Sequence, residues 1–132
     1  MAEVVDIEVA RKEVSAWLDY KKVKQVKRDT HVNNIEYLIH CVSQGDITID
    51  DKTFVIKQKL LIPVDGLFAE LEYKARVTVG ELTQHTSSMV VRSTDDAVLC
   101  AVAASTGKTV AMVKKLDTED YVIATAIGVF FI

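Results

Sequence analysis

Apolar residues follow helical spacing in the first third of the chain. The first helix is indicated by four positions: Val9, Val14, Trp17 and Leu18. A second, better-defined helix is indicated by one stripe of five positions: Val32, Ile35, Leu38, Ile39 and Val42. We expect Asp29 or Thr30 to cap this second helix, and Gly45 to end it in the left-handed conformation.

After the second helix the spacing of apolar residues changes to two, which is typical of strands. Residues 47–49 alternate, residues 53–62 are rich in β-forming types, and the clearest alternation spans residues 67–79. Its apolar positions are Leu67, Ala69, Leu71, Tyr73, Ala75, Val77 and Val79. Turns are expected at Asp50-Asp51-Lys52 and at Pro63-Val64-Asp65-Gly66. The pattern predicts a three-stranded antiparallel meander, with one face of the last strand buried.

Helix signals return in the last part of the chain. A helical stretch begins near Glu81, although Ser87-Ser88 obscures where it ends. Ser93 is expected to cap a helix that ends at Gly107, and a short helix follows over residues 109–116. Asp117 should cap a terminal helix with apolar residues on one side: Tyr121, Val122, Ala126, Val129 and Phe130.

The complete pattern predicts an α+β fold in one domain, residues 1–132. N-terminal helices occupy residues 1–45, the meander 46–80, and a C-terminal helical bundle 81–132. A chain of 132 residues can bury a substantial core. Its composition, with 49% hydrophobic and 27% charged residues, is that of an ordinary soluble domain.

Charge and cysteine content limit the classes of partner and indicate the cellular compartment. A net charge of −3 disfavours nucleic acid or an anionic membrane as a bulk partner. Cys41 and Cys100 are isolated from each other in sequence, which indicates buried thiols in a reducing compartment. The chain shows no signal-peptide pattern, and its longest apolar stretch, residues 121–132, is too short to cross a bilayer. We therefore expect a soluble, intracellular protein.

The tripeptide Gly107-Lys108-Thr109 resembles the end of a P-loop, which would bind a nucleotide phosphate. The motif requires a glycine where this chain has Val102, and it must follow a strand, whereas the segment before Gly107 has a helical pattern. We interpret Gly107 as the end of a helix, with Lys108 beside the negative end of that helix.

No other pattern predicts catalysis, a metal or a cofactor. His31 and His40 would lie on opposite faces of a helix, and His85 is isolated. Cys41 directly follows His40, which in a helix points the two side chains apart. Capping and the helix dipole account for the carboxylates that open the terminal helix: Asp117, Glu119 and Asp120. We expect a protein that is not an enzyme.

Residues 21–28 carry five positive side chains and leave two interpretations open. They could bind phosphates or an acidic partner. Alternatively, they form a solvated connection between two helices. We favour the second interpretation because no aromatic residue lies between the charges and the chain as a whole is acidic.

Two segments, "STDDAVLCAVAASTGKTVAMVKKLDTEDYVIATAIGVFF" and "LLIPVDGLFAELEYKARVTVGEL", contain helix ends and turns in an order that resembles bacteriophage tail assembly chaperones. In the first segment, Thr106-Gly107, Leu116-Asp117, Asp120-Tyr121 and Phe130 occupy the positions of that family's motifs. Upstream, the second segment is similar to the family's strand-turn-strand segment and the turn that follows it, matched here by residues 78–82. The resemblance covers residues 54–130, whereas the segment before Asp50 is longer than the family leads us to expect.

The resemblance implies a non-catalytic protein of the host cytoplasm that binds the phage tape-measure protein before tail-tube subunits assemble around it. Excess apolar surface on the terminal helix predicts a partner groove that includes four residues: Tyr121, Val122, Phe130 and Phe131. The core could instead surround this helix. Homo-oligomerisation is a further possibility. The alternative functions are a permanent structural component of a tail or baseplate, located in the virion, and a small nucleic-acid-binding regulator.

Overall fold

The computed structural model describes residues 5–86 and 93–132. Three helices come first: α1 (Ile7–Lys21), α2 (Gln25–Thr30) and α3 (Val32–Gln44). Three strands follow: β1 (Ile47–Ile49), β2 (Ile56–Val64) and β3 (Phe68–Tyr73). The chain continues with α4 (Val79–Thr86), α5 (Thr94–Thr106), α6 (Val110–Val113), α7 (Thr118–Gly128) and a terminal 3-10 turn (Val129–Phe131). This order confirms the predicted α+β fold.

The first helices bury most of their predicted apolar stripes, but three predictions are wrong: the burial of Val9, the burial of Val32, which is 53% exposed, and the cap of α3. Ala10 is buried in place of Val9, which is exposed. Neither Asp29 nor Thr30 caps α3, because both belong to or adjoin the short helix α2 and bond within it. Gly45 ends α3 with φ 83°, as predicted.

The sheet is the predicted antiparallel meander, in the order β1-β2-β3. Its register pairs Ile47 with Gln58 and Ile56 with Tyr73. Two pairs of opposite charge face solvent across β2 and β3: Lys57 with Glu72, and Lys59 with Glu70. The other face buries Ile56, Leu60, Leu71 and Tyr73 in the core.

The last strand is shorter than its alternation predicts. It ends at Tyr73, and Val79, which is 78% exposed, already begins α4. The backbone N–H of Lys74 turns away from β2 and donates to the carbonyl of Ser105 on α5 at 2.8 Å. A helix from later in the chain, α5, therefore accepts this hydrogen bond in place of β2, and the strand ends.

The predicted start of the last strand is also wrong. β3 begins at Phe68, and Leu67 lies in the turn after β2, where its backbone N–H donates to the Val64 carbonyl at 3.0 Å. Leu67 and Ala69, both predicted on the buried face, are exposed. The irregularity in the pairing belongs to β2, which takes five steps from Lys59 to Val64 where β3 takes two.

The predicted helix caps of the C-terminal part are confirmed. The Ser93 side chain accepts from Asp96 N at 3.2 Å, and Gly107 ends α5 with φ 71°. Thr109 begins the short helix α6, and Asp117 caps α7 by accepting from Glu119 N at 3.0 Å. Ser87 and Ser88 lie outside the described residues.

The core surrounds α7 on several sides. This helix contacts α3, α5 and β2, and its buried residues include Ile123, Ala124, Ala126, Ile127 and Gly128. At Gly128 the approach to α5 is so close that an added Cβ would lie 2.8 Å from Cγ2 of Val102. Most of the apolar surface of α7 is thus covered within the chain.

Candidate functional site

A buried polar network attaches the start of α7 to the sheet. Asp120 is fully buried, and its two carboxylate oxygens accept from Leu61 N at 2.8 Å and Ile62 N at 3.0 Å. Gln58 Nε2 donates to the backbone oxygen of Asp120 at 3.0 Å. The Tyr73 hydroxyl donates to Gln58 Oε1 at 2.5 Å, and burial together with the charge of Asp120 raises the pKa of Tyr73.

Asp120 therefore differs from the helix-capping role that the sequence predicts for it. Asp117 caps α7, while Asp120 satisfies two consecutive N–H groups of β2 at the bulge. Since its partners lie about sixty positions away, no local pattern indicates this contact. The hydrogen bonds engage both oxygens, so the carboxylate serves to position α7.

Tyr121 is half-buried and lies between two clefts. One, the Tyr121 cleft, has a volume of about 260 Å³ and lies between α5, α6 and α7. Its lining is mainly apolar: Leu99, Val113, Leu116 and Tyr121, with Lys114 and Thr118. The second, of about 510 Å³, lies between α3, α5 and α7 and includes Asp95. Burial, followed by the charge of Asp95, raises the pKa of Tyr121.

The four residues predicted to form a partner groove do not lie on one surface. Val122 is 48% exposed and lies next to Tyr121 on α7. Phe130 is only 4% exposed, because the terminal 3-10 turn directs it into the core against Trp17, with ring centroids 5.7 Å apart. Phe131 is half-buried beside the same tryptophan. Phe130 is therefore a core residue, Tyr121 lines an apolar cleft between helices, and Phe131 lines a separate cleft among lysines.

The fold directs the five positive side chains of residues 21–28 to two different places. Four lysines of this segment line a cleft of about 300 Å³ together with Arg76, which lies after β3: Lys21, Lys22, Lys24 and Lys27. We call these five residues the basic cleft. Arg28 is directed elsewhere and forms an ion pair with Asp19 at 2.9 Å. Burial, with smaller effects from Arg76 and Lys27, lowers the pKa of Lys21 to about 8. No pattern in the sequence links Arg76 with the lysines.

The tripeptide that resembles a P-loop is a helix end. Gly107 provides the left-handed residue after α5, and the Lys108 ammonium lies 4.9 Å from the Phe68 ring centroid. Val102, at the place of the missing glycine, is fully buried in the core. A helix precedes the tripeptide where a phosphate loop requires a strand.

The remaining candidate chemistry is dispersed. Within residues 5–86 and 93–132, no group of three or more His, Cys, Asp or Glu side chains could hold a metal ion. Cys41 and Cys100 are buried free thiols, as predicted, and burial raises the pKa of Cys41 to about 11. In the same part of the chain, no helix has both the length and the apolar character needed to cross a membrane.

A comparison with protein-family models, curated proteins and solved structures finds no match for this chain. Three of the motifs that carry the chaperone resemblance are helix boundaries in the structure. Thr78 and Glu81 form a reciprocal cap at the start of α4, in the segment expected to be a turn. Gly107 ends α5 and Asp117 begins α7. Their spacing consequently reflects where helices begin and end.

Proposed function

We propose that this protein is a non-catalytic phage tail assembly chaperone that binds the tape-measure protein in the host cytoplasm and releases it to the tail tube. The proposal is supported by the resemblance over residues 54–130. The observation that carries the binding role is the Tyr121 cleft. Its apolar side chains line a concave surface between three helices, the kind of site that accepts an apolar side chain from a partner helix.

The chemistry of the cleft suits a reversible partner. A tape-measure chain exposes apolar helical stripes that need cover until the tube encloses them. The Tyr121 cleft offers one small apolar depression, of about 260 Å³. A contact of this size gives moderate affinity, so tube subunits can displace the chaperone.

Co-expression of the tagged protein with the phage's own tape-measure protein tests the binding surface. Tyr121→Ala removes the ring that lines the cleft, and we expect recovery of the tape-measure protein to fall about tenfold. Tyr121→Phe keeps the ring and should retain binding. Tyr20→Ala is the matched control, because it removes a half-exposed ring from α1, away from the cleft.

Two results would contradict the proposal: undiminished recovery with Tyr121→Ala, or an equal loss with Tyr20→Ala. Truncation after Gly128 would not serve as a test, since it removes Phe130 from the core. Each variant should retain the circular dichroism of the unaltered protein.

Mass spectrometry of mature virions distinguishes a chaperone from a structural component of the tail or baseplate. A chaperone leaves before the tail is complete and should be absent. A structural component should be present at a fixed copy number, and that result would replace the chaperone proposal.

A further inference from the structure

The basic cleft concentrates positive charge against the overall charge of the chain. Five Lys and Arg side chains surround a cleft of about 300 Å³, and among the described residues no Asp or Glu side chain lines it. The chain carries a net charge of −3, so this region is a local exception. Walls of one sign around a depression focus the electrostatic potential and attract a ligand of opposite sign.

The cations of the cleft have no carboxylate side-chain partner among the described residues. Lys21 donates to the backbone oxygen of Ala75 at 3.0 Å, and Lys27 donates to the backbone oxygen of Ile132. Arg76 reaches the backbone oxygen of Tyr20 at 3.4 Å. These contacts hold three of the five cations in place, and the neutral carbonyls that bind Lys21 and Arg76 leave the charge of those two side chains uncompensated. An incoming anion would relieve the repulsion between them.

The floor of the cleft is apolar. Val23, Val77 and Phe131 are each half-buried and line it together with the cations. A bare anion would contact the charged wall alone. A ligand that carries both a carboxylate and an aliphatic group would contact the wall and the floor together.

The geometry disfavours nucleic acid. Base recognition on single strands uses a free aromatic face for stacking. Here the ammonium of Lys21 lies 3.6 Å from the Phe131 ring centroid and covers one face of that ring. The positive charges also surround a single depression, whereas binding along a strand uses a groove that follows successive phosphates.

We propose that the basic cleft binds an acidic segment of a partner protein, in which Asp or Glu residues flank an aliphatic side chain. The carboxylates contact Lys22, Lys24 and Arg76, and the aliphatic group packs on the apolar floor. This site is separate from the Tyr121 cleft, and the inference does not rest on the proposed function.

Fluorescence anisotropy with a short labelled peptide of Asp and Glu around a central Leu tests the inference. Lys24→Gln combined with Arg76→Gln should weaken binding of this peptide about tenfold, through loss of two charge-assisted contacts. Lys52→Gln combined with Lys115→Gln is the matched control. It removes the same charge from two exposed positions outside the basic cleft and should leave affinity unchanged. Added salt should weaken binding to the unaltered protein.

Three further probes separate the alternatives. Peptides with Asn and Gln for the acids, or Gly for the Leu, should bind more weakly than the acidic peptide. A single-stranded oligonucleotide of equal charge should also bind more weakly. Tighter binding of the oligonucleotide, equal binding of the neutral peptide, or no binding of the acidic peptide would each overturn the inference. In the unaltered protein, titration with the acidic peptide should shift the amide resonances of residues 21–27 and 76–77, and shifts elsewhere alone would reject the site.

Discussion

The two ends of α7 are attached to the protein by different forces. At its start, Asp117 caps the helix and Asp120 accepts two hydrogen bonds from β2. At its end, Phe130 packs edge-on against Trp17 with an interplanar angle of 85°. Hydrogen bonds are directional and fix the position of one end, whereas aromatic burial contributes more free energy with less dependence on direction.

This difference separates positioning from stability along one helix. Tyr121 immediately follows Asp120, so the hydrogen bonds from β2 fix where α7 presents Tyr121 to the cleft between α5, α6 and α7. Phe131 lies at the opposite end, on the floor of the basic cleft. Disrupting each end separately should therefore have different consequences for stability and for surface geometry.

The largest expected effect is at the aromatic end. Phe130→Ala should lower the free energy of unfolding by about 3–5 kcal/mol, since it leaves a cavity against Trp17. Phe130→Leu keeps most of the volume and should cost about 1–2 kcal/mol. Urea denaturation monitored by tryptophan fluorescence measures both variants. A loss below about 1 kcal/mol for Phe130→Ala would show that this end is not held by packing.

Disrupting the hydrogen-bonded start of α7 should lower the free energy of unfolding by less, and it should change amide exchange locally. Asp120→Ala leaves the N–H groups of Leu61 and Ile62 without acceptors, at a cost of about 2–4 kcal/mol. Amide hydrogen exchange at these two residues should accelerate relative to the rest of β2. Asp51→Ala, at an exposed turn position, is the control and should change stability by less than about 0.5 kcal/mol.

Unchanged exchange at Leu61 and Ile62 in Asp120→Ala would contradict the anchor. If Asp120→Ala instead lowered the free energy of unfolding as much as Phe130→Ala does, without faster exchange at Leu61 and Ile62, Asp120 would stabilise the protein through burial alone. The comparison between the two ends would then fail.

What the sequence predicts well are the features with a local cause. Ser93, Asp117, Gly45 and Gly107 act as the expected helix boundaries, because caps and left-handed residues depend on their immediate neighbours. The meander also follows from the change in apolar spacing.

Features that depend on distant partners were not predictable in this way. The end of β3 is set by the bond from Lys74 to Ser105, and the role of Asp120 by its contact with β2. Arg76 joins the lysines of α1 and α2 only through the fold. Burial of Phe130 depends on the 3-10 turn, which a helical pattern does not distinguish from continued helix. The surface available to a partner is therefore the part that sequence patterns determine least.

The smallest expected effect concerns the cap itself. Asp117→Ala removes the acceptor for Glu119 N and should cost about 1 kcal/mol, less than Asp120→Ala, because water can replace an exposed cap. Asp117→Ser retains a capping oxygen and should recover most of that loss. Thermal unfolding of the three proteins measures this order. If Asp117→Ala cost more than Asp120→Ala, capping would hold the start of α7 and the contact with β2 would be secondary.

Lys108→Ala provides the companion measurement at the preceding helix end. Its ammonium lies 4.9 Å from the Phe68 ring centroid, and loss of this contact should change stability by less than about 1 kcal/mol. ATP titrated by calorimetry should give no heat with either the unaltered protein or this variant, since Gly107 and Lys108 complete a helix end. Measurable ATP binding that Lys108→Ala abolished would instead make this helix end a phosphate site. Without such binding, the difference in stability loss between Asp120→Ala and Asp117→Ala remains the finer test. The buried carboxylate of Asp120 bonds to a distant strand and fixes where the helix lies. The carboxylate of Asp117 caps the helix and fixes only where it begins.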